Sequence, residues 1–502
     1  MNEPPFATGQ PPDTPPRPPK EREDAGFSRG LHQRSEGDQR VTWVRWRIVL
    51  LLMAFSFLNY VNRQSLPVAA DERIIPEEGV DPAAMGTVYT AFLIAYTLFM
   101  LPGGWAVDRF GPRRALIGIG FGSAAFVALS GLWGRAMLAA GGGLAAIGIS
   151  RALLGIFSAP IYPACGRMVA EWIPLRHRSL ATGLIVGSAP LGIAFSFVGV
   201  GRLIELVDWP TAFAILGLIT GTVGLVWMVY SRDHPEQHPS ISPAELALIR
   251  SDGPPRDPNP SLQHSESSSP DVVPAGPPPS ATTNTVQTPV WKRILANRSI
   301  MAITLSYTTL GYFEYLLFYW MHYYFEHVLR LGKEESRLYA MIPPLAMVVG
   351  MPLGGWATDR LRVSLGLKWG RRSVAMVGMI LGALGLGLAT RTHQPLALVC
   401  WFSLAWGMVG AADVLFWTTS IELGGRRGGT TGALCNFGSN AVGTVAPWAT
   451  PRIAQAIDST PNLPSYLLIF GDGWSTALAV GSLLTLAGAV LWLWIDANQK
   501  LE

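Results

Sequence analysis

The sequence predicts an all-α integral membrane protein in which twelve transmembrane helices form two pseudo-symmetric six-helix bundles. Only 14% of the 502 residues are charged and 49% are hydrophobic, whereas soluble domains carry roughly 25% charged residues. The apolar residues are gathered into twelve long runs, and a backbone in hydrocarbon satisfies its own hydrogen bonds most simply as a helix. The third observation is a polar motif that occurs once in each half of the chain.

The apolar runs divide into six on each side of a long polar break. We therefore expect four regions: a disordered cytoplasmic tail over 1–42, a first bundle over 43–231, a cytoplasmic linker over 232–298 and a second bundle over 299–497. The predicted spans lie near 46–67, 83–107, 113–133, 143–172, 179–201, 210–231, 299–325, 338–358, 372–390, 395–423, 429–453 and 474–495.

The tail and the linker have compositions that cannot form a packed core. Residues 1–42 are rich in Pro, Gly, Arg and Glu, which indicates disorder, and they contain no apolar segment typical of a cleavable signal peptide. Within the linker, Ser242-Pro-Ala-Glu245 predicts a capping box with proline at the first helical position, and so a short interfacial helix. The Pro- and Ser-rich stretch 253–289 predicts a flexible connection.

A short loop after the second run carries the repeated motif, Gly103-Gly-Trp-Ala-Val-Asp-Arg-Phe-Gly-Pro-Arg-Arg114. Its first part returns as Gly354-Gly-Trp-Ala-Thr-Asp-Arg360, and the two aspartates are 359 − 108 = 251 positions apart. We expect Gly104 to admit a neighbouring helix and Gly111 to permit the tight reversal. The residues predicted to act as a conformational latch are Gly104, Asp108, Arg109, Gly111, Arg113, Arg114, Asp359 and Arg360.

Loop cations predict the orientation of the protein. The loop 71–81 is mostly acidic, and the loops of the opposite side carry the arginines, so both termini are expected to be cytoplasmic. We expect a monomer in the cell membrane, inner or plasma. The loop arginines are Arg109, Arg113, Arg114, Arg176, Arg178, Arg371, Arg372, Arg426 and Arg427.

Two arginines inside predicted spans are candidates for binding an anion, because charges at bilayer depth cost about 2.5–3.5 kcal/mol. At 1.5 Å per residue, Arg63 lies ~24 Å from Arg47, with Tyr60 one turn away. Arg151 in the fourth span lies at a similar depth. Two interpretations stay open for each: Arg63 is a substrate ligand or a cation that extends to the interface, and Arg151 is a ligand or a structural residue.

Two carboxylates also fall within predicted spans. Glu314 lies ~22 Å from the start of the seventh span, in a stretch that we expect to be broken at Gly311, and burial disfavours its charged form unless it is paired. It is either a proton-binding group or part of an ion pair with the other bundle. Asp413 is a second candidate for proton coupling, whereas Glu422 is expected to pair with loop arginines such as Arg426.

The eleventh span contains two asparagines, Asn436 and Asn440, among glycines. Their amides can hydrogen-bond a ligand, and Asn440 can equally bond between helices. The three cysteines, Cys165, Cys400 and Cys435, lie in apolar runs and show neither disulfide nor metal spacing.

The repeated loop, of the form G-x-x-x-D-R-x-G-x-R-R, resembles the signature loop of the major facilitator superfamily. The likeness covers about residues 43–497 and implies the twelve-helix fold of that superfamily and a cycle in which its two halves rock about a central site. Several stretches are similar to a narrower group, the anion:cation symporter family, which includes transporters of hexuronate and galactonate. They are Tyr60-Val-Asn-Arg63, Tyr96-Thr-Leu-Phe-Met-Leu-Pro-Gly-Gly104, Gly155-Ile-Phe-Ser-Ala-Pro-Ile-Tyr-Pro163, Ser242-Pro-Ala-Glu245 and Asn436-Phe-Gly.

This resemblance implies that Arg63 binds a substrate carboxylate and that Tyr60, Tyr96 and Asn436 line the same site. We add Tyr319 as a residue that orients the substrate. Sugar-acid members of the family have an Asp and a Glu, their usual proton carriers, where this chain has Asn62 and Ser158. Glu314 is therefore the replacement that we predict.

The sequence thus predicts a secondary transporter of a small organic anion, such as a sugar acid or another carboxylate, coupled to H⁺. Two alternatives remain: a facilitator, exchanger or carrier of a neutral or zwitterionic solute without proton coupling, and a membrane sensor that does not transport. We expect no cofactor, no metal and no nucleic acid partner. An enzyme is not expected, because the sequence contains no Walker loop, nucleotide fingerprint or nucleophile elbow.

Overall fold

The computed structural model of the protein describes residues 41–138, 140–251, 290–392, 394–425, 428–460 and 472–496. Within these ranges the chain is helical, with short connections between the helices. The predicted disordered tail, apart from residues 41 and 42, and the predicted flexible stretch over 253–289 lie outside the described residues.

Twelve helical spans are present in this part of the chain, and the predicted number is confirmed. We number them 1 to 12 in chain order. They are Val44–Glu78, Pro82–Phe110, Pro112–Leu138, Gly143–Trp172, Leu175–Val207, Trp209–Tyr230, Arg298–Tyr323, 333–365, 367–389, Pro395–Gly424, 428–458 and Gly473–Trp494.

Nine of the described helices are long and apolar enough by themselves to cross a membrane. One of these, Lys333–Ala389, contains spans 8 and 9, because Gly366 between them has a φ of 77° that leaves the helical region. Span 7 is rich in Tyr, Thr and Ser, and span 11 consists of the shorter helices Gly428–Gly443 and Val445–Asp458. Span 7 is not among the nine because its composition is too polar, and span 11 is not among them because each of its two helices is too short.

The packing of the helices repeats between the two bundles. Span 1 packs on span 5, span 2 on span 4 and span 3 on span 6. Span 7 packs on span 11, span 8 on span 10 and span 9 on span 12, so that adding six to the first set gives the second. Small residues permit the approach: a Cβ on Gly120 in span 3 would lie 2.9 Å from the Cα of Gly224 in span 6. The sequence repeat thus corresponds to a repeat in three dimensions.

The region after span 1 corrects one expectation. The sequence suggested an acidic loop over 71–81, but the helix continues through a π-helical turn, Ala70–Ile74, into Ile75–Glu78. No glycine or proline occurs between Val68 and Ile75, and the chain leaves the helix only at Gly79, which has a φ of 67°. The first acidic residues of this stretch are therefore buried helical residues.

Span 7 corrects a second expectation. The helix Arg298–Tyr323 runs without interruption through Gly311, where we predicted a break. Gly311 instead allows span 11 to pack closely, because a Cβ at this position would lie 2.4 Å from the carbonyl oxygen of Ser439. The irregular turn of this segment lies at its end, in the π-helical residues Tyr324–Val328.

The linker contains the predicted short helix, Pro243–Arg250. Ser242 Oγ accepts a hydrogen bond from the Glu245 amide at 3.2 Å, as in a capping box. In a complete capping box the Glu245 side chain would bond back to the Ser242 amide. Here its carboxylate instead accepts hydrogen bonds from the amides of Val44 and Arg45, at 3.0 and 3.1 Å, and from Thr42 Oγ1 at 2.6 Å. The linker thereby caps the N-terminus of span 1, whose first amides have no partner within their own helix.

We expect Glu245→Gln to lower the thermal stability of the purified protein. Glu245 is fully buried and also lies 3.4 Å from Arg45 Nη1, and breaking a buried charged pair costs about 3–5 kcal/mol. The matched control is Glu236→Gln, which removes an exposed pair with Arg250 worth about 1 kcal/mol or less. An equal change in melting temperature for both variants, measured by intrinsic fluorescence in detergent, would contradict this account.

Candidate functional site

The two bundles are joined at the end of the spans opposite the repeated loops. Thr90 Oγ1 donates to the carbonyl of Thr444 at 3.2 Å, and Gln455 Nε2 donates to Asp81 Oδ1 at 2.6 Å, both between spans 2 and 11. Spans 5 and 8 and spans 1 and 7 also meet here. We call this end, formed by residues 71–81, 201–207, 324–337 and 444–458, the clasped end.

Arg63 lies where the two bundles meet, next to the clasped end, and only 5% of its surface is exposed. Its Nε atom donates to the hydroxyl of Tyr319 in span 7 at 3.3 Å. Its Nη2 atom is buried and has no hydrogen-bond partner among the described residues. Six aromatic rings from both bundles surround the guanidinium carbon at 4.6–5.9 Å; they belong to Tyr60, Phe92, Tyr96, Tyr315, Phe318 and Tyr319.

Arg151 is also buried and makes structural contacts. Its guanidinium donates to the carbonyl of Asn62 at 2.6 Å and to Ser65 Oγ at 3.2 Å, which joins span 4 to span 1. It also borders the same small cavity as Arg63. The residues that line this cavity are Arg63, Leu66, Pro67, Val88, Tyr89, Phe92, Arg151 and Tyr319. Both interpretations of Arg151 therefore have a basis in the geometry, and its role as a ligand stays a prediction.

The two asparagines of span 11 belong to one hydrogen-bonded group. Tyr315 in span 7 donates to Asn440 Oδ1 at 2.5 Å. Asn440 Nδ2 in turn donates to the carbonyl and to the Oδ1 of Asn436, at 2.8 and 3.1 Å. Because the Tyr315 ring also faces Arg63, this group connects span 11 to the surroundings of the guanidinium. Substrate contacts by Asn436 and Asn440 stay a prediction.

The two candidate carboxylates lie in the second bundle and interact with each other. Asp413 accepts a hydrogen bond from the Tyr307 hydroxyl at 2.8 Å. Glu314 has Asp413 and Arg63 as its electrostatic neighbours, and its Oε1 atom is buried without a hydrogen-bond partner in the described part of the chain. The electrostatic neighbours of Glu314 are thus a carboxylate of its own bundle and an arginine of the other.

Asn62 and Ser158, the two positions at which the family resemblance implied acids, lie within the first bundle. Asn62 Nδ2 donates to Thr220 Oγ1 in span 6 at 2.9 Å, and Asn62 borders a separate small cavity with Asn59 and Ser123. Ser158 is buried at the end of the helix Gly143–Ser158. The Asn62 side chain is thus directed toward the interior of the bundle, whereas Arg63 faces the other bundle.

The repeated loops lie at the end opposite the clasped end. Asp108 pairs with Arg167 of its own bundle at 3.1 Å, and their side chains are 67% and 58% exposed. Gly111 has a φ of 85°, which permits the reversal after span 2. The backbone amide of Arg113 donates a hydrogen bond to Asp233 Oδ1 at 3.1 Å. Arg109, Arg114, Asp359 and Arg360 are exposed.

Two details of these loops differ from expectation. A Cβ on Gly104 would meet nothing within 4 Å, whereas one on Gly103 would lie 3.1 Å from the Pro160 Cβ. The first glycine of the pair therefore makes the close approach, and in the second copy Gly354 packs in the same way against Ala411. Glu422 bonds to Arg371 at 2.5 Å, and its predicted partner Arg426 lies outside the described residues.

If these loops form a latch, Asp108→Asn should weaken the conformation that is closed at their end. The exposed pair with Arg167 contributes little to the present conformation, so folding should be unchanged. Spin labels at the exposed residues Leu175 and Val363 would report the distance between the bundles at this end by double electron–electron resonance. Asp359→Asn should act in the same direction but less strongly, because Asp359 lies seven residues before the reversal at Gly366, whereas Asp108 lies three before the reversal at Gly111. An unchanged distance distribution in Asp108→Asn would eliminate the latch.

Sequence reasoning missed a group of buried charged residues at the clasped end, Asp71, Glu72, His322 and Arg337. It placed Asp71 and Glu72 in a loop between spans 1 and 2. The signal that could have found them is the lack of a helix-breaking residue between Val68 and Ile75, which indicates that the acids continue span 1.

Comparisons with known proteins agree with this architecture. The chain is 29% identical over 448 residues to a D-galactonate transporter of Escherichia coli, covering 85% of this chain and 96% of the relative. It is 28% identical over 459 residues to a protein of Bacillus subtilis named "Probable galactarate/D-glucarate transporter", covering 89% and 93%.

The fold is shared with a solved structure of a bacterial homologue of the human lysosomal transporter Spinster. The TM-score is 0.66 at 14% sequence identity, and the match covers 91% of this chain and 98% of that one. The family model of the Major Facilitator Superfamily matches residues 52–447, well over half of the chain. The protein is therefore a multi-pass integral membrane transporter that belongs to the Major Facilitator Superfamily.

Proposed function

We propose that this transporter carries a small organic anion, such as a sugar acid or another carboxylate, through a site at Arg63. The observation that carries the proposal is the buried Nη2 atom of Arg63, which has no hydrogen-bond partner in the described chain. An arginine presents a planar set of donors that matches a carboxylate. The names of the two curated relatives, a galactonate and a galactarate/glucarate transporter, support the same class of substrate.

The position of Arg63 suits alternating access. The aromatic rings around the Arg63 guanidinium come from spans 1 and 2 of the first bundle and from span 7 of the second. A substrate bound there touches both bundles, so its contacts change when one bundle rotates against the other. We propose that residues 43–231 and 299–497 are the two rotating units, joined by the linker 232–298. With the repeated loops on the cytoplasmic side, the clasped end faces outward.

Coupling to H⁺ is proposed to use Glu314. An ionised Glu314 competes with the substrate for Arg63, since both are anions near one guanidinium. Protonation of Glu314 removes this competing negative charge, so proton and anion bind together. Asp413 favours this protonation because a second negative charge lies near the first.

Two experiments test the proposal. A thermal-shift screen of the purified protein against organic anions, amino acids and neutral sugars should show stabilisation by anions. Uptake of the most stabilising anion into proteoliposomes should then increase with an inward proton gradient. Stabilisation by neutral or zwitterionic solutes alone would contradict the anion site.

One observation favours a second candidate, a facilitator or exchanger without proton coupling. Both positions at which sugar-acid transporters have acids are neutral here, and Asn62 is engaged with Thr220. Equal initial uptake with and without a pH gradient, in vesicles that exchange substrate normally, would support this alternative over coupling through Glu314.

A further inference from the structure

A cluster of ionisable side chains is buried between the bundles at the clasped end. Asp71 and Glu72 come from the first bundle and His322, Glu326 and Arg337 from the second. Asp71 Oδ2 lies 3.1 Å from His322 Nδ1, and the side chains of Asp71, Glu72, His322 and Arg337 are at most 1% exposed. We call these five residues the seam cluster. It is separate from the Arg63 site and has no part in the proposed binding of substrate.

One acid of the seam cluster is fully paired. Arg337 donates from Nε to Glu72 Oε1 at 2.7 Å and from Nη2 to Glu72 Oε2 at 2.6 Å. This two-point geometry is the strong form of an arginine–carboxylate pair. The charges of Glu72 and Arg337 therefore balance, and Asp71, His322 and Glu326 remain to be accounted for.

The charged groups around the cluster do not supply this balance in full. Lys333 has a carbonyl oxygen and not a carboxylate as its hydrogen-bond partner, so its charge can offset one of the two acids Asp71 and Glu326, but not both. Lys333 Nζ donates to the backbone carbonyl of Glu72 at 3.0 Å, and His327 Nε2 lies 2.7 Å from the carbonyl of Asp71. The remaining neighbours are paired with each other or with Arg337, and they are Arg73 with Glu77, Arg202 with Glu334, and Glu205 and Glu334 with Arg337. Tyr89 and Tyr323 are neutral and face Asp71.

The protons of the cluster can be counted from its geometry. A neutral imidazole has one N–H, and placed on Nδ1 it donates to Asp71. Nε2 would then direct its lone pair at Glu72 Oε1 and Glu326 Oε2, each 3.8 Å away. Nε2 of His322, Oε2 of Glu326 and Oδ1 of Asp71 are all buried without a hydrogen-bond partner in the described ranges. A buried unpaired charge is costly, so this arrangement fits only with an additional proton, on His322 or on one of the two acids.

We propose that the seam cluster is a proton-binding site, and that closing the bundles over it takes up one proton from the solution on that side. When the bundles separate at this end, Asp71 and Glu72 part from His322, Glu326 and Arg337. Water then reaches all five side chains, and the charged forms no longer need the additional proton. Acid on this side therefore favours the clasped conformation, independently of the substrate.

The proposal is tested by measuring the clasped end as a function of pH. Spin labels would replace the exposed residues Leu206 and Glu335, in a protein whose exposed Cys400 is changed to Ser. Distances would be recorded in lipid nanodiscs without substrate between pH 5 and 9. The ratio of clasped to open molecules should fall by up to tenfold per pH unit over part of this range, as expected for one linked proton. A ratio that does not depend on pH would overturn the proposal.

Substitutions within the seam cluster should show which of its side chains takes up the additional proton. Glu326→Gln and Asp71→Asn mimic the protonated acids, so at least one of them should keep the bundles clasped at high pH and reduce the pH dependence. Glu78→Gln, an exposed residue at the same end, is the matched control and should behave as the wild type. The Glu314→Gln variant should also retain the pH dependence. Loss of the pH dependence in Glu314→Gln, or its persistence in both seam variants and in His322→Gln, would place the proton outside the seam cluster and overturn the proposal.

Discussion

Replacement of Arg63 by glutamine is expected to remove most of the binding of whichever anion stabilises the wild-type protein best. The guanidinium is buried among six rings and has one nitrogen without a partner, so a carboxylate would replace no existing hydrogen bond at that atom. Loss of one partner of a desolvated charge pair costs about 2–5 kcal/mol, a weakening of roughly 30-fold or more. Binding can be measured by titration calorimetry on the purified protein.

Two further variants make this result specific. Arg63→Lys retains the charge but loses the planar set of donors, so affinity should fall while some binding remains. Arg135→Gln removes an exposed arginine at the end of span 3 and should bind as the wild type. Normal binding by Arg63→Gln would show that this arginine has no role in recognition and that the anion site lies elsewhere.

Much of the fold could be predicted from the sequence because membrane insertion imposes simple rules. The low charge, the apolar runs and the motif repeated at Asp108 and Asp359 predicted twelve spans in two related bundles, which the structure and the family confirm. The predictions were wrong where they relied on the usual local effect of one residue type and ignored its packing in the folded protein. Gly311 appeared to be a helix break, but in a packed bundle its missing side chain is needed for contact with Ser439.

The candidate site was predictable only in part. Arg63, Tyr60, Tyr96 and Tyr319 are brought together, because each lies on a side of its span that faces the other bundle. The seam cluster could not be found in the same way. Asp71 and His322 are 251 residues apart and belong to different bundles, so their contact depends on how the bundles are clasped, which local sequence does not specify.

Glu314→Gln is expected to abolish uptake driven by a proton gradient while leaving exchange of substrate at zero gradient. The structure changes the reason for this expectation, since span 7 is not broken near Glu314. The reason is now electrostatic: Glu314 interacts with Arg63 across the bundles and with Asp413 in its own. Glutamine resembles the protonated acid, so Arg63 remains free for the substrate, but no proton can be taken up or released during the cycle.

Both activities should be measured in the same proteoliposomes, because exchange then serves as the control for folding and substrate binding. Asp413→Asn provides a matched variant, since Asp413 is buried and hydrogen-bonded to Tyr307, and it should reduce coupled uptake less than Glu314→Gln. Loss of exchange together with uptake in Glu314→Gln would make Glu314 a substrate ligand or a structural partner of Arg63. Normal gradient-driven uptake would eliminate Glu314 from coupling, and the stronger effect would then be expected from Asp413→Asn, because Asp413 is the other candidate carboxylate of the second bundle.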